Sequence, residues 1–178
     1  MSKRKKLERL NEITGNLLEI DTDFIMQQCN CVTVRAHGLS KAIGDKFPEC
    51  RIYEKRRSLA HRNCAIEADR PEPGTFSITG RCINLFAQYR PGKPGVAYLK
   101  KAYPGKHDDG AVDRMRWFAE ALERVGKHFP SGKPVTIAVP HQIGCGLAGG
   151  DWQCYKMMLQ TFVEKHQHVT VTIVKLKE

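Results

Sequence analysis

A glycine-rich loop between an apolar strand and a helix is the stretch of this sequence best suited to bind a ligand. It lies within residues 135–152, and its glycines are Gly144, Gly146, Gly149 and Gly150. Glycines let backbone N–H groups converge on one centre, and the following helix adds the positive end of its dipole. The pattern predicts a phosphate-binding loop, although such turns also arise for steric reasons alone. It lacks the lysine of a nucleoside-triphosphate loop and the spacing of a dinucleotide-binding loop.

Other reactive side chains lie near this loop and in the first third of the chain. Cys145 suits either a nucleophile near a helix start or a small apolar filler. Asp151 suits either a helix cap or a base that positions water. Cys29, Cys31 and His37 lack a fourth ligand at the usual spacing, so we expect no metal and no cofactor.

Composition limits the class of protein. A chain of 178 residues forms one domain with one core. Its seven cysteines include no CxxC pair, so we expect reduced thiols and a cytoplasmic protein. Nothing in the sequence resembles a signal peptide or a membrane span. The net charge of +10 favours polyanionic ligands such as nucleotides or RNA without choosing among them.

Strand-like and helix-like patterns alternate along the chain. A buried strand over residues 24–31 stops near Asn30, and a helix follows from Gly38. Two strands meet at Gly80, a helix covers residues 112–129, and a last strand covers residues 169–176. The order predicts a three-layer α/β/α sandwich with a mixed central sheet. Ligands of such sheets collect beyond the carboxyl ends of the strands, so Asn30 and the glycine loop should face each other.

Three basic segments receive separate predictions. Residues 1–11 form a basic N-terminal extension before a single domain over residues 12–178. Residues 55–57 belong to a short helix, whose basic face we expect to be solvated. Residues 89–110 form a loop-rich insert with tyrosines among its basic residues, which suits either a solvated insert or stacking against nucleic-acid bases.

Several motifs together resemble one family. They are Gly15-Asn-Leu-Leu18, Gln28-Cys-Asn-Cys31, Gly38-Leu-Ser-Lys-Ala-Ile43, Asp45-Lys-Phe-Pro48, Asn84-Leu-Phe-Ala-Gln88 and the segment from Pro140 to Trp152. In this order they resemble macro domains, the modules that bind ADP-ribose. The resemblance runs from about residue 12 to the end and is nearest to the branch associated with ADP-ribose 1″-phosphate processing.

The resemblance implies the substrate-binding residues. Asn16 is implied on the adenine side, with Leu17 beside it, and Asn30 at the hydroxyls of the distal ribose. Two loops are implied to hold the diphosphate from opposite sides. Their residues are Gly38, Leu39 and Ser40 in the first loop, and Gly144, Cys145, Gly146 and Leu147 in the second.

The resemblance leaves the catalytic question open. Deacylating macro domains use a lysine and an aspartate at positions that are Gln88 and Ala148 here, so a covalent lysine mechanism is not expected. The remaining catalytic candidates are Asn30, Asp151 and His37. We therefore expect a hydrolase that acts at the distal ribose, on ADP-ribose 1″-phosphate or an ADP-ribosyl group. The alternatives are a non-catalytic reader of ADP-ribose or ADP-ribosylated protein, and a nucleic-acid-binding protein that uses the insert.

Overall fold

Six strands form one mixed sheet in the computed structural model, which describes residues 8–178. In chain order they are β1 (Leu10–Thr14), β2 (Phe24–Asn30), β3 (Phe76–Thr79), β4 (Cys82–Gln88), β5 (Val135–Pro140) and β6 (Val169–Lys175). Their spatial order is β1-β6-β5-β2-β4-β3, and only β3 runs antiparallel to its neighbour. The loops that follow β2, β4 and β5 therefore leave from one edge of the sheet.

Four α-helices accompany the sheet. They are α1 (Gly38–Lys46), α2 (Ala97–Ala102), α3 (Ala111–His128) and α4 (Trp152–Lys165). Side chains of α3 and α4 pack on one face, where Phe118 lies 4.7 Å from Tyr155 between ring centres. Ile43 of α1 packs on the opposite face with Ile25 of β2. Helices on both faces of a mixed sheet confirm the predicted α/β/α sandwich.

The apolar stripe of α3 differs from its predicted composition. The helical spacing of the apolar residues predicts that Val112 and Ala119 face the core, but both are exposed, whereas Trp117 and Ala121 are buried. The buried face instead follows residues 114, 117, 118, 121, 122 and 125, which keeps helical spacing. Arg114 is therefore part of the buried stripe, although its charge suggested a solvated position.

The N-terminal boundary also differs from the prediction. Strand β1 begins at Leu10, inside the predicted extension, because Leu10 pairs with Val171 and packs against the core. Residues 1–7, most of the predicted basic extension, lie outside the described residues. From residue 8 to the end, no helix combines the length and the apolar character that crossing a bilayer demands.

The prediction that all thiols are reduced is wrong for one pair. Cys50 and Cys82 form a disulfide with their Cα atoms 5.8 Å apart. A 3-10 turn over Pro48–Cys50 brings Cys50 beside Cys82, which is the first residue of β4. The two cysteines are 32 positions apart, so only the tertiary fold reveals that they meet. The other five cysteines are free.

The packing of α4 gives a test of the core. Leu159 is fully buried against the sheet, whereas Met157 on the same helix is 70% exposed. Leu159→Ala should lower the free energy of unfolding by about 2–5 kcal/mol, because it removes buried methyl groups and leaves a cavity. Met157→Ala should change it by less than about 0.5 kcal/mol. Urea denaturation measures both, and equal losses would contradict this placement of α4.

Candidate functional site

A cleft of about 870 Å³ opens at the edge of the sheet where β2, β4 and β5 end. Its walls come from the segment after β2, the insert after β4 and the glycine-rich loop after β5. The predicted site residues that line it are Asn30, His37, Gly38, Leu39, Ser40, Gly144, Gly146 and Leu147. As the sequence predicted, Asn30 and the glycine loop share one cleft.

Asn30 organises the first wall through its side-chain oxygen. Its Oδ1 accepts hydrogen bonds from the N–H groups of Val32 and Thr33, at 3.0 and 2.9 Å, and from the Thr33 hydroxyl at 3.1 Å. Three donors occupy this oxygen, so it has no capacity left for a ligand. The resemblance implied that Asn30 lies at the hydroxyls of the distal ribose, where a free amide can both donate and accept hydrogen bonds. The structure leaves only the donor, Nδ2, for that role.

Arg56 fixes the backbone around Asn30. It is buried, and its guanidinium donates to the carbonyls of Thr33 and Asn30, at 2.8 and 2.9 Å. The hydroxyl of Tyr53, which also lines the cleft, accepts the Asn30 N–H at 3.0 Å. The prediction of a solvated basic run at residues 55–57 is therefore wrong for Arg56, which the 3-10 turn Tyr53–Lys55 directs inward, whereas Lys55 and Arg57 are exposed. No feature of the basic run distinguished Arg56 from its neighbours.

Helix α1 begins at the cleft and supplies free backbone donors. Within the described chain, the N–H groups of His37, Gly38, Leu39 and Ser40 have no acceptor in the protein. Such unpaired N–H groups at a helix start favour an anion. The Ser40 hydroxyl donates to buried Gln27 at 2.8 Å, which ties α1 to the sheet.

The second glycine loop presents another set of free donors. Among residues 8–178, the N–H groups of Gly146, Leu147 and Ala148 meet no acceptor. Gly144 has a φ of +73°, and a Cβ there would lie 2.6 Å from both Gln28 Oε1 and Tyr155 Cε1. A Cβ on Gly146 would meet nothing within 4 Å. Gly144 thus shapes the loop, while Gly146 lies open to the cleft.

Four predicted site residues do not line the cleft. Asp151 is the N-cap of α4, and its Oδ1 accepts from the Gln153 N–H at 2.9 Å. Asn16 caps a 3-10 turn at Leu17–Glu19 in the same way, and Leu17 is buried in the core. Burial raises the pKa of the Cys145 thiol to about 11, so it is protonated at neutral pH and suits a filler better than a nucleophile.

The insert is anchored rather than freely solvated. Buried Asp109 accepts the N–H groups of Tyr89 and Arg90, at 3.1 and 2.8 Å, and pairs with Arg114 of α3. The insert also contains α2. Tyr89 is buried and Tyr103 half-buried, so of the three tyrosines considered for base stacking only Tyr98 is exposed. The surface of the insert, residues 89–110, therefore lacks the series of exposed tyrosines that this interpretation requires.

Two glutamines close the floor of the cleft. Gln28 Nε2 donates to Gln88 Oε1 at 2.8 Å, and Gln88 Nε2 donates to the Arg90 carbonyl at 2.9 Å. Gln88 takes the place at which the resemblance implied a lysine in deacylating macro domains. Both ends of the Gln88 amide are hydrogen-bonded within the protein, and an amide, unlike a lysine amine, is not a nucleophile. The described cleft lining includes no carboxylate, and residues 8–178 contain no cluster of three or more acidic, His or Cys side chains that could hold a metal ion.

These features define an α/β/α domain with a glycine-lined cleft at the carboxyl edge of its sheet, whose described lining includes no carboxylate. No protein-family model and no curated protein sequence matches the chain. Several solved structures match it. The macrodomain of Thermus aquaticus DarG aligns with a TM-score of 0.58 and 21% identity, covering 95% of this chain and 98% of that one. The macrodomain of Mycobacterium tuberculosis DarG aligns with a TM-score of 0.56 and 20% identity, covering 93% and 96%.

A third neighbour was solved with a ligand. The Trypanosoma brucei macrodomain in complex with ADP-ribose aligns with a TM-score of 0.55 and 11% identity, covering 96% of this chain and 64% of that chain. The chain thus has the macrodomain fold, which confirms the resemblance of its motifs at the level of the fold.

The two glycines give a test of the loop geometry. Gly144→Ala should lower the free energy of unfolding by at least about 1–2 kcal/mol, because alanine is strained at positive φ and its Cβ would clash with Gln28 and Tyr155. Gly146→Ala should change it by less than about 0.5 kcal/mol. Thermal and urea unfolding measure both variants, and a reversed order of stability would contradict the loop conformation.

Proposed function

We propose that the cleft binds ADP-ribose or an ADP-ribose derivative and that the protein hydrolyses a bond at the distal ribose. The observation that carries the binding proposal is the pair of unpaired N–H sets, at residues 37–40 and at residues 146–148, on the walls of one cleft. A diphosphate offers acceptor oxygens to both sets at once. The macrodomain fold supports the same ligand, because the Trypanosoma brucei neighbour was solved with ADP-ribose.

The charges around the cleft agree with a dianionic ligand. Lys93 lines the cleft, and the described lining residues include no aspartate or glutamate. The net charge of +10 adds a long-range attraction for anions. The binding energy would come mainly from backbone dipoles, whose positions the fold fixes before the ligand arrives.

Hydrolysis would depend on few side chains. His37 lies exposed at the rim of the cleft, and the donor end of the Asn30 amide has no acceptor within residues 8–178. His37 offers an acid or a hydrogen-bond donor, and the Asn30 amide offers a group that orients the distal ribose. The most direct substrate for this pair is ADP-ribose 1″-phosphate, in which water displaces the 1″-phosphate. The alternative is a non-catalytic reader, which two observations favour: the described lining includes no carboxylate, and Asp151 caps a helix.

Binding is tested by comparing ligands and glycine variants. ADP-ribose should raise the melting temperature more than AMP does, because AMP lacks the diphosphate and the distal ribose. Gly146→Glu should reduce ADP-ribose affinity by at least about tenfold, since a carboxylate in the cradle repels the diphosphate. Gly132→Glu is the matched control, because Gly132 is also open to solvent but lies before β5, at the other end of that strand. Calorimetry showing equal losses for both variants, or none for either, would remove the loop from the site.

Catalysis is tested by phosphate release from ADP-ribose 1″-phosphate. Asn30→Asp keeps the oxygen that accepts the loop N–H groups but removes the Nδ2 donor, so turnover should fall by about ten- to a thousandfold. Asp151→Ala should lose about 1 kcal/mol of stability as a missing cap and keep its turnover within about twofold. A wild-type protein that binds ADP-ribose but releases neither phosphate from ADP-ribose 1″-phosphate nor ADP-ribose from ADP-ribosylated protein would support the reader instead.

A further inference from the structure

Arg114 is a buried charge whose donors are all engaged by the protein. Its side chain is 2% exposed. Its Nε and Nη2 donate to Asp109 at 2.7 and 2.6 Å, and Nη2 also donates to the Arg90 carbonyl at 3.1 Å. Its Nη1 donates to the carbonyls of Gly92 and Ala148, at 2.6 and 3.1 Å. These bonds use all five guanidinium N–H donors, so Arg114 acts through other groups and not on a ligand.

The acceptors of Nη1 belong to two different walls of the cleft. Gly92 lies in the insert after β4, and Ala148 lies in the glycine loop after β5; both line the cleft. The same two walls touch beside Arg114, where a Cβ on Gly149 would lie 3.2 Å from Lys93 Cγ. One rigid guanidinium therefore sets the separation of two loops that have no shared secondary structure.

Arg114 also links this contact to the sheet. The Arg90 carbonyl that it binds is the one that Gln88 binds at the end of β4, and Gln88 is bonded to Gln28 of β2. Asp109 holds the other side of the guanidinium and the start of the insert. The position of the glycine loop is thus tied through α3 to the carboxyl ends of two central strands.

We infer that Arg114 is a positioning residue that holds the glycine loop, through the Ala148 carbonyl, where its free N–H groups meet a diphosphate. The inference rests on the proposed function. Lysine cannot replace arginine here, because one ammonium has three donors and lacks the planar fork that reaches a carboxylate and three carbonyls together. The loss of preorganisation would weaken ligand binding without removing any group that touches the ligand.

The test compares Arg114→Lys with Val125→Ala. Val125 is fully buried on the same helix, and its truncation lowers stability without contacting the cleft. Below both melting temperatures, Arg114→Lys should bind ADP-ribose at least about tenfold more weakly than wild type, while Val125→Ala should bind within about twofold. Without ligand, amide hydrogen exchange should accelerate by about tenfold or more only in Arg114→Lys at the amides of these two walls that are hydrogen-bonded and therefore protected, which are Gly95, Cys145, Gly149 and Gly150.

Each outcome has a defined meaning. Exchange and affinity that are the same in Arg114→Lys and Val125→Ala would show that Arg114 is only structural and would overturn the inference. Failure of the wild type to bind ADP-ribose would overturn the proposed function, and with it the diphosphate role of Arg114, even if exchange in the loop accelerates as expected. If Arg114→Lys does not fold, Asp109→Asn/Arg114→Met removes both charges, and the same two measurements apply to it.

Discussion

The buried pair of Asp109 and Arg114 is the interaction on which the arrangement of the cleft depends. The carboxylate is 5% exposed and the guanidinium 2%, and their closest N–O distance is 2.6 Å. Two charges removed from water are costly unless every remaining donor and acceptor finds a partner. Here the partners are backbone groups of the insert and of the glycine loop, so satisfying the pair forces both loops into one arrangement.

The strand order decides where these loops meet. Strands β4 and β5 both neighbour β2 and run parallel to it, so the insert and the glycine loop leave the sheet beside the segment that contains Asn30. Asn30 and Arg56 fix the segment after β2. In the same way, Asp109 and Arg114 fix the insert and the glycine loop. The three walls are held by buried polar side chains, which leaves backbone N–H groups free towards the cleft. A cleft of this kind attracts an anion mainly through fixed backbone dipoles, to which Lys93 and the net positive charge add.

Much of this arrangement is visible in the sequence because it follows local rules. Apolar runs bounded by glycine and proline predicted the central strands, and a cap was one of the two roles that the sequence left open for Asp151. The motifs predicted the fold and brought Asn30 and the glycine loop together. Arg114 could have been found, since it continues the helical spacing of the buried residues on α3. The expectation that a charged side chain is solvated concealed it.

Other features depend on contacts between distant segments and have no local signal. Arg56 is one basic residue among three, and only the turn at Tyr53–Lys55 directs it inward. Cys50 and Cys82 meet because α1 and β4 pack together. Asn30 Oδ1 accepts hydrogen bonds from Val32 and Thr33 because of the backbone geometry that follows the end of β2.

In the proposed complex, two sets of backbone N–H groups on facing walls of the cleft hold one diphosphate. Amide signals followed by nuclear magnetic resonance during titration with ADP-ribose test it most directly, because each N–H group reports separately. The largest shifts should occur together at residues 37–40 and 146–148, with a single affinity for both sets. Saturable binding that shifts neither set, or only one of them, would contradict it.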